Sequence, residues 1–169
     1  MNINDAADYV DMIILEALLK VGGITPSLFV VGTERAALIT MVNFGETSSM
    51  RSNQLFALGK EMREQNKNNT AIGNLEYVVL ATEGLVSETH DPEQVKTLVP
   101  ADDPEHIEAV FVVAYRPRDG KSLMHIHEIM RTEGGEIRDT VPYPIPDDVQ
   151  FEVNALDAFA AGYFGNISN

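Results

Sequence analysis

The chain of 169 residues contains no cysteine, few basic residues and no long apolar run. The lack of cysteine excludes disulfide bonds, thiol catalysis and iron–sulfur ligation by the chain itself. A membrane-spanning helix needs about 20 consecutive apolar residues, and no segment approaches that length. The N-terminal region carries Asn4, Asp5, Asp8 and Asp11, where a secretory signal has a basic stretch before an apolar one. We therefore expect a cytoplasmic protein that makes no membrane contact.

The shortage of basic residues gives the chain a strongly negative charge. There are 12 lysines and arginines against 26 acidic residues, for a formal net charge of −14. A field of this sign repels nucleic-acid phosphates and favours solubility. Nucleic-acid binding is therefore not expected. A protein that mimics nucleic acid with its carboxylates and occupies a basic cleft remains an alternative.

Length and periodicity predict one domain over residues 1–169, with an α+β fold. The length is sufficient for an ordinary core, and 44% of the residues are hydrophobic. Because several strands are joined by short turns, we expect a mainly antiparallel sheet of five or six strands. The first two helices would be long and would cover at least one face of this sheet. A short helix would follow at the C-terminus. The predicted elements are a helix capped by Asn4 or Asp5 and running to about Lys20, strands at Leu28–Val31 and Ala37–Val42, a helix from about Met50 to Gln65 capped by Ser48 or Ser49, strands at Leu75–Thr82, Ile107–Tyr115 and Ile137–Val141, a short edge strand at Phe151 and Val153, and a helix from Ala155 to Phe164.

The segment from Ile107 to Arg131 predicts a long hairpin that carries the candidate chemistry. Successive side chains of its second arm point to opposite faces of the strand, so that His125 and His127 share one face, about 7 Å apart. Two imidazoles at this spacing can bind one metal ion, but such a site needs further ligands. Glu83, at the end of a predicted strand, is the candidate third ligand. A structural role for both histidines is the competing interpretation.

The His-x-His pair also resembles the zinc pair of the JAMM/MPN metalloprotease family. That family adds a Ser-x-x-Asp about ten residues later and an upstream glutamate. Here the window from Glu128 to Asp139 contains no serine, and Asp139 comes one place late. The sequence departs from the family where its chemistry requires agreement, so this assignment is excluded.

A second resemblance covers roughly residues 28 to 131. It rests on the helical segment Leu55-Phe56-Ala57-Leu58-Gly59, on a strand ending near Glu83 with an Asp/Pro-rich connection after it, and on the hairpin from Val110 to Ile129. In these features the chain is similar to an uncharacterised family of small bacterial α+β proteins with no assigned activity. The resemblance implies the fold class. It transfers no functional residue, because the shared features are packing patterns.

The sequence favours a non-enzymatic binding or assembly module, either a homo-oligomer such as a homodimer or a partner of another protein. No catalytic triad order, dinucleotide fingerprint or strong metal motif is present, and no cofactor is expected. The broad apolar surface of the first helix supports self-association. The alternative is a small-ligand or metal-dependent enzyme that uses His125 and His127 on the sheet face. The acidic connection of residues 85–106 has no assigned role.

Overall fold

The structure, a computed structural model, describes residues 1–88, 92–95, 99–145 and 153–165. The helices are α1 (Ile3–Val21), α2 (Ser48–Gln65), the single-turn α3 (Pro92–Val95) and α4 (Asn154–Phe164). The strands are β1 (Ser27–Gly32), β2 (Ala36–Thr40), β3 (Leu75–Val86), β4 (Ile107–Arg116), β5 (Lys121–Arg131) and β6 (Ile137–Pro142). Phe151, half of the predicted edge strand, lies outside the described residues, and Val153 is not in a strand.

The six strands form one antiparallel sheet in the order β2-β1-β3-β4-β5-β6. The predicted α+β class with a mainly antiparallel sheet is therefore confirmed. β4 lies inside the sheet, between β3 and β5, in agreement with its apolar run from Ala109 to Tyr115. Within the ranges that the structure describes, no helix has both the length and the apolar character needed to cross a bilayer.

β3 is longer than its sequence predicts. The prediction ended it at Thr82, whereas the strand continues to Val86 and places Glu83 within it. Its last residues pair with the first half of β4, with Glu83 opposite Val110 and Gly84 opposite Ala109. The partner strand therefore extends β3 through Glu83 and Gly84, whose own preference for strand is low.

The two long helices lie on opposite faces of the sheet. On one face, Val10, Ile14 and Leu18 of α1 belong to a buried cluster with alternate residues of β1, β3 and β4. On the other face, α2 and α4 share a second cluster through residues such as Leu55 and Phe159. Because the central strands are apolar on both faces, both need a covering layer. The helices each cover one face, and α4 completes the second layer.

Helix capping fixes where α1 and α2 begin, and it differs from the prediction. Asn2, not Asn4 or Asp5, caps α1: its side chain accepts hydrogen bonds from the Asn4 and Asp5 amides, and Asp5 accepts one from the Asn2 amide. This reciprocal pair is a capping box. Thr47, one residue before the predicted Ser48, caps α2. Both corrections move the helix start towards the N-terminus because an earlier side chain reaches the free amides.

α2 and α4 touch backbone to backbone. A Cβ atom added to Gly59 would lie 2.1 Å from the carbonyl oxygen of Phe159, and one added to Gly162 would lie 2.1 Å from that of Phe56. Glycine is therefore required at both positions of the contact. The close approach allows Leu156 and Phe159 to be fully buried between the helix pair and the sheet.

Candidate metal centre

β5 carries His125 and His127 on the sheet face that α1 covers. The two residues pair with Val112 and Val110 of β4, which belong to the buried cluster beneath α1. Their ring centroids are 6.3 Å apart, and the ring planes are nearly perpendicular. The alternation of β5 thus produces the shared orientation that the sequence predicts.

Asp11 of α1 places its carboxylate between the two imidazoles. Its Oδ2 lies 2.6 Å from Nδ1 of His125, and its Oδ1 lies 3.2 Å from Nε2 of His127. The side chains of Asp11 and His127 are 13% and 12% exposed, and that of His125 is 27% exposed. The three residues therefore form a partly buried cluster, the Asp11–His125–His127 triad, whose more open side is at His125.

Two atoms of the triad lack hydrogen-bond partners within the described part of the chain. These are Oδ1 of Asp11 and Nε2 of His127, both buried. Although they lie 3.2 Å apart, the pair does not have hydrogen-bond geometry. A buried polar atom without a partner costs about 1–3 kcal/mol. A bound cation would satisfy both atoms at once.

The triad has the donor set of a transition-metal site. Each residue offers one ligand atom, and the three atoms lie within 4.8 Å of one another. Two imidazoles and one carboxylate are the protein ligands of many catalytic zinc sites and of non-haem iron sites. With metal–ligand distances of about 2.0–2.2 Å, ligand atoms in such a site are about 3.4 Å apart. Small side-chain adjustments would therefore bring all three atoms onto one ion.

Three protein ligands leave at least one coordination position open. Structural zinc sites close all four positions with protein atoms, whereas catalytic sites keep one for water or substrate. The described residues bring together no fourth histidine or carboxylate at this cluster. The geometry therefore corresponds to an open site.

Glu83, the third ligand that the sequence suggests, is not part of the cluster. Its Oε1 accepts a hydrogen bond of 2.6 Å from the amide of Ile24, in the segment that connects α1 to β1. Nor is His106, whose Nδ1 lies 2.7 Å from the carbonyl oxygen of Asp103. His90 lies outside the described residues. The histidine pair is retained as the candidate, and Asp11 takes the place proposed for Glu83.

Asp11 was missed as a site residue although the sequence contains a signal for it. It lies four residues after Ala7 and three before Ile14, both of which are buried on the inner face of α1. A carboxylate inside an apolar helical stripe needs a partner, since burying an unpaired charge is costly. On β5, His125 and His127 are the polar pair on this face, between Leu123 and Ile129.

A groove of about 450 Å³ adjoins the triad at the β5–β6 side of the sheet. It is lined by Asp11, Met124, His125, Ile126, His127, Pro142, Tyr143 and Ile145. The chain after β6 forms one wall: the Tyr143 amide donates to the carbonyl oxygen of Ile126 over 2.8 Å. The Tyr143 hydroxyl donates to the carboxylate of Glu88. The triad is thus accessible from a pocket large enough for a small molecule.

Comparison of the chain with protein-family models, with curated proteins and with solved structures found no match. The geometry of the site is therefore what indicates its chemistry.

Proposed function

We propose that this protein binds one divalent transition-metal ion, zinc in particular, through Asp11, His125 and His127, and presents it to a small molecule in the adjoining groove. The observation that supports this function best is the convergence of three ligand atoms within 4.8 Å, two of them buried and without hydrogen-bond partners. Most buried side-chain polar atoms in folded proteins have a hydrogen-bond partner, so two neighbouring atoms without one favour a bound ion between them.

The donor set argues for zinc or a neighbouring first-row metal. Calcium and magnesium take oxygen ligands almost exclusively, so two imidazoles exclude them as the natural ion. An ion with an open position would polarise an oxygen of a bound molecule or lower the pKa of a bound water to about 7. A metal-dependent enzyme acting on a small ligand is therefore the activity that this site supports.

Calorimetric titration of metal-free protein with zinc, nickel and manganese tests the proposal. We expect one zinc ion per chain, with zinc and nickel binding more tightly than manganese. The double variant His125→Ala, His127→Ala should lose stoichiometric binding, and Asp11→Asn should weaken it at least about tenfold because the anionic ligand is lost. His106→Ala is the matched control, since this histidine lies outside the triad. Unchanged zinc uptake by the double variant would refute the proposal.

Self-association through α1 is a second candidate function. Tyr9, Met12 and Leu19 are 47%, 61% and 47% exposed, and their spacing of three and seven residues places them in one outer stripe. Glu16, within the same stripe, is paired with Lys20. Exposed apolar side chains in such a row are typical of helix–helix interfaces.

Light scattering distinguishes assembly from a monomeric state. An assembly module should give the mass of a dimer or larger oligomer, and Met12→Glu should reduce it to that of a monomer. The exposed Met50→Glu on α2, which lies outside this stripe, should leave the mass unchanged. A monomer at all concentrations of the unmodified protein would rule this candidate out.

A further inference from the structure

We infer that the groove beside the triad takes a small, mainly apolar molecule that carries one metal-coordinating oxygen group. The inference rests on the proposed metal site and concerns what that site would bind. It follows from the side chains that line the groove, from its charge and from the positions of its polar atoms.

The lining away from the triad is mainly apolar. Besides the triad, the residues that line the groove are the apolar Met124, Ile126, Pro142 and Ile145, together with Tyr143. Met124, Ile126, Tyr143 and Ile145 are half-buried, so a molecule placed against them would remove apolar surface from water. Each methylene group buried in this way contributes roughly 0.8 kcal/mol. Affinity should therefore increase with the apolar part of the ligand.

The groove offers no cation to an anionic ligand besides the metal itself. Among the described residues, no lysine or arginine lines it, and its only carboxylate and imidazole groups are those of the triad. Phosphates and dicarboxylates are recognised by arginine and lysine side chains, commonly in pairs of hydrogen bonds. The chain's net charge of −14 further disfavours a ligand with several negative charges.

The two polar hydrogens that Tyr143 brings to the groove wall are already engaged within the protein. The Tyr143 amide donates to Ile126, and the Tyr143 hydroxyl donates its proton to Glu88. Neither hydrogen is free for a ligand. The open coordination position beside His125 and His127 is then the main polar anchor, and the ligand needs a single donor group to use it.

Titration of the cobalt-loaded, full-length protein with two hydroxamates tests this inference. Cobalt(II) replaces zinc with the same ligands, and its visible absorption changes when a molecule enters the coordination sphere. Benzohydroxamate and acetohydroxamate carry the same oxygen donors but differ in apolar size. We expect benzohydroxamate to bind at least about tenfold more tightly, because its ring lies in the groove. Phenyl phosphate should bind more weakly than benzohydroxamate.

Two variants test whether the preference for benzohydroxamate over acetohydroxamate arises in the groove. Ile145→Ser should reduce the preference for benzohydroxamate to less than about threefold while cobalt affinity is unchanged, because Ile145 lines the groove without belonging to the triad. Val141→Ser is the matched control: Val141 is 45% exposed on β6 and does not line the groove, so the preference should persist.

The results of these titrations distinguish a failure of the proposed ligand class from a failure of the proposed metal site. Cobalt absorption bands with equal affinity for the two hydroxamates would overturn the ligand class and leave the metal site standing. Benzohydroxamate binding that is equally tight without cobalt would overturn the role of the metal as anchor. No cobalt bands at all would refute the metal site, and this inference with it.

Discussion

Replacement of Gly59 by alanine tests the backbone contact between α2 and α4. In most helices this change stabilises, since alanine has the higher helix propensity by about 1 kcal/mol. Here the new methyl group would lie 2.1 Å from the carbonyl oxygen of Phe159 and 2.9 Å from the amide nitrogen of Tyr163. Ordinary contacts begin at 3.4 Å, so the two helices must separate by roughly 1 Å.

The expected change in the free energy of unfolding follows from the cost of overpacking and the gain in helix propensity. Overpacking costs about 1–3 kcal/mol, and the upper end applies because the obstacle is backbone, which has no alternative rotamer. After subtraction of the propensity gain, we expect Gly59→Ala to lower the free energy of unfolding by about 2 kcal/mol. For a domain of this size, that corresponds to a decrease in Tm of about 4–8 °C.

Urea denaturation followed by circular dichroism measures the effect. Gly134→Ala is the control, since its new Cβ would lie 3.8 Å from the nearest atom; it should change stability by less than about 0.5 kcal/mol. Combining Gly59→Ala with Gly162→Ala should cost less than the sum of the two, because one separation of the helices relieves both clashes. A Gly59→Ala protein more stable than the unmodified one would refute this description of the contact.

Two further predictions concern buried polar groups. Burial raises the pKa of Tyr115 to about 12, and the Asp157 carboxylate adds to the shift. Because the folded-state pKa exceeds the ordinary value, the stability that Tyr115 contributes is complete below pH 10 and is lost as the pH rises through 12. Absorbance titration of phenolate should show the raised pKa, and unfolding at a series of pH values should show the loss of stability. Both should be present in the unmodified protein and absent in Tyr115→Phe. Asn66→Ala should lower the free energy of unfolding by about 2–4 kcal/mol in chemical denaturation, because the Asn66 side chain bonds Tyr163 and the buried amide of Ile72.

Exposed residues of the same types are the controls. Tyr9→Phe should leave the alkaline titration step in place, since Tyr9 is 47% exposed. Asn53→Ala, at an exposed position of α2, should change stability by no more than about 0.5 kcal/mol. A Tyr115 that titrates at its ordinary pKa of 10.0, or an Asn66→Ala protein of unchanged stability, would contradict the respective argument.

The local elements could be predicted from the sequence because their signals are local. The hairpin of β4 and β5 follows from an apolar run, a turn containing Pro117 and Gly120, and an alternating second arm. Gly120 has a φ of 68°, which the Asp-Gly pair of the turn favours. The order of the strands could not be predicted in this way. The placement of β3 between β1 and β4 depends on packing across the sheet, for which periodicity carries no information.

The candidate site could be predicted only in part, for a related reason. The spacing of His125 and His127 is a property of one strand, so the sequence reveals that they share a face. Their partner comes from α1, more than a hundred residues earlier, and which of 26 acidic residues reaches them depends on how α1 crosses the sheet. Glu83 was chosen because it follows a predicted strand. Its carboxylate instead bonds Ile24, while the buried stripe of α1 delivers Asp11.

The most direct measurement of the central claim is a crystal structure of the zinc-soaked protein with anomalous data at the zinc edge. We expect one strong peak per chain, about 2.0–2.2 Å from one atom each of Asp11, His125 and His127, with the remaining coordination directed towards the groove. The same soak of Asp11→Asn should give a weaker peak or none. Zinc found only at surface carboxylates, with the triad still joined by its own hydrogen bond between Asp11 and His125, would contradict the proposal.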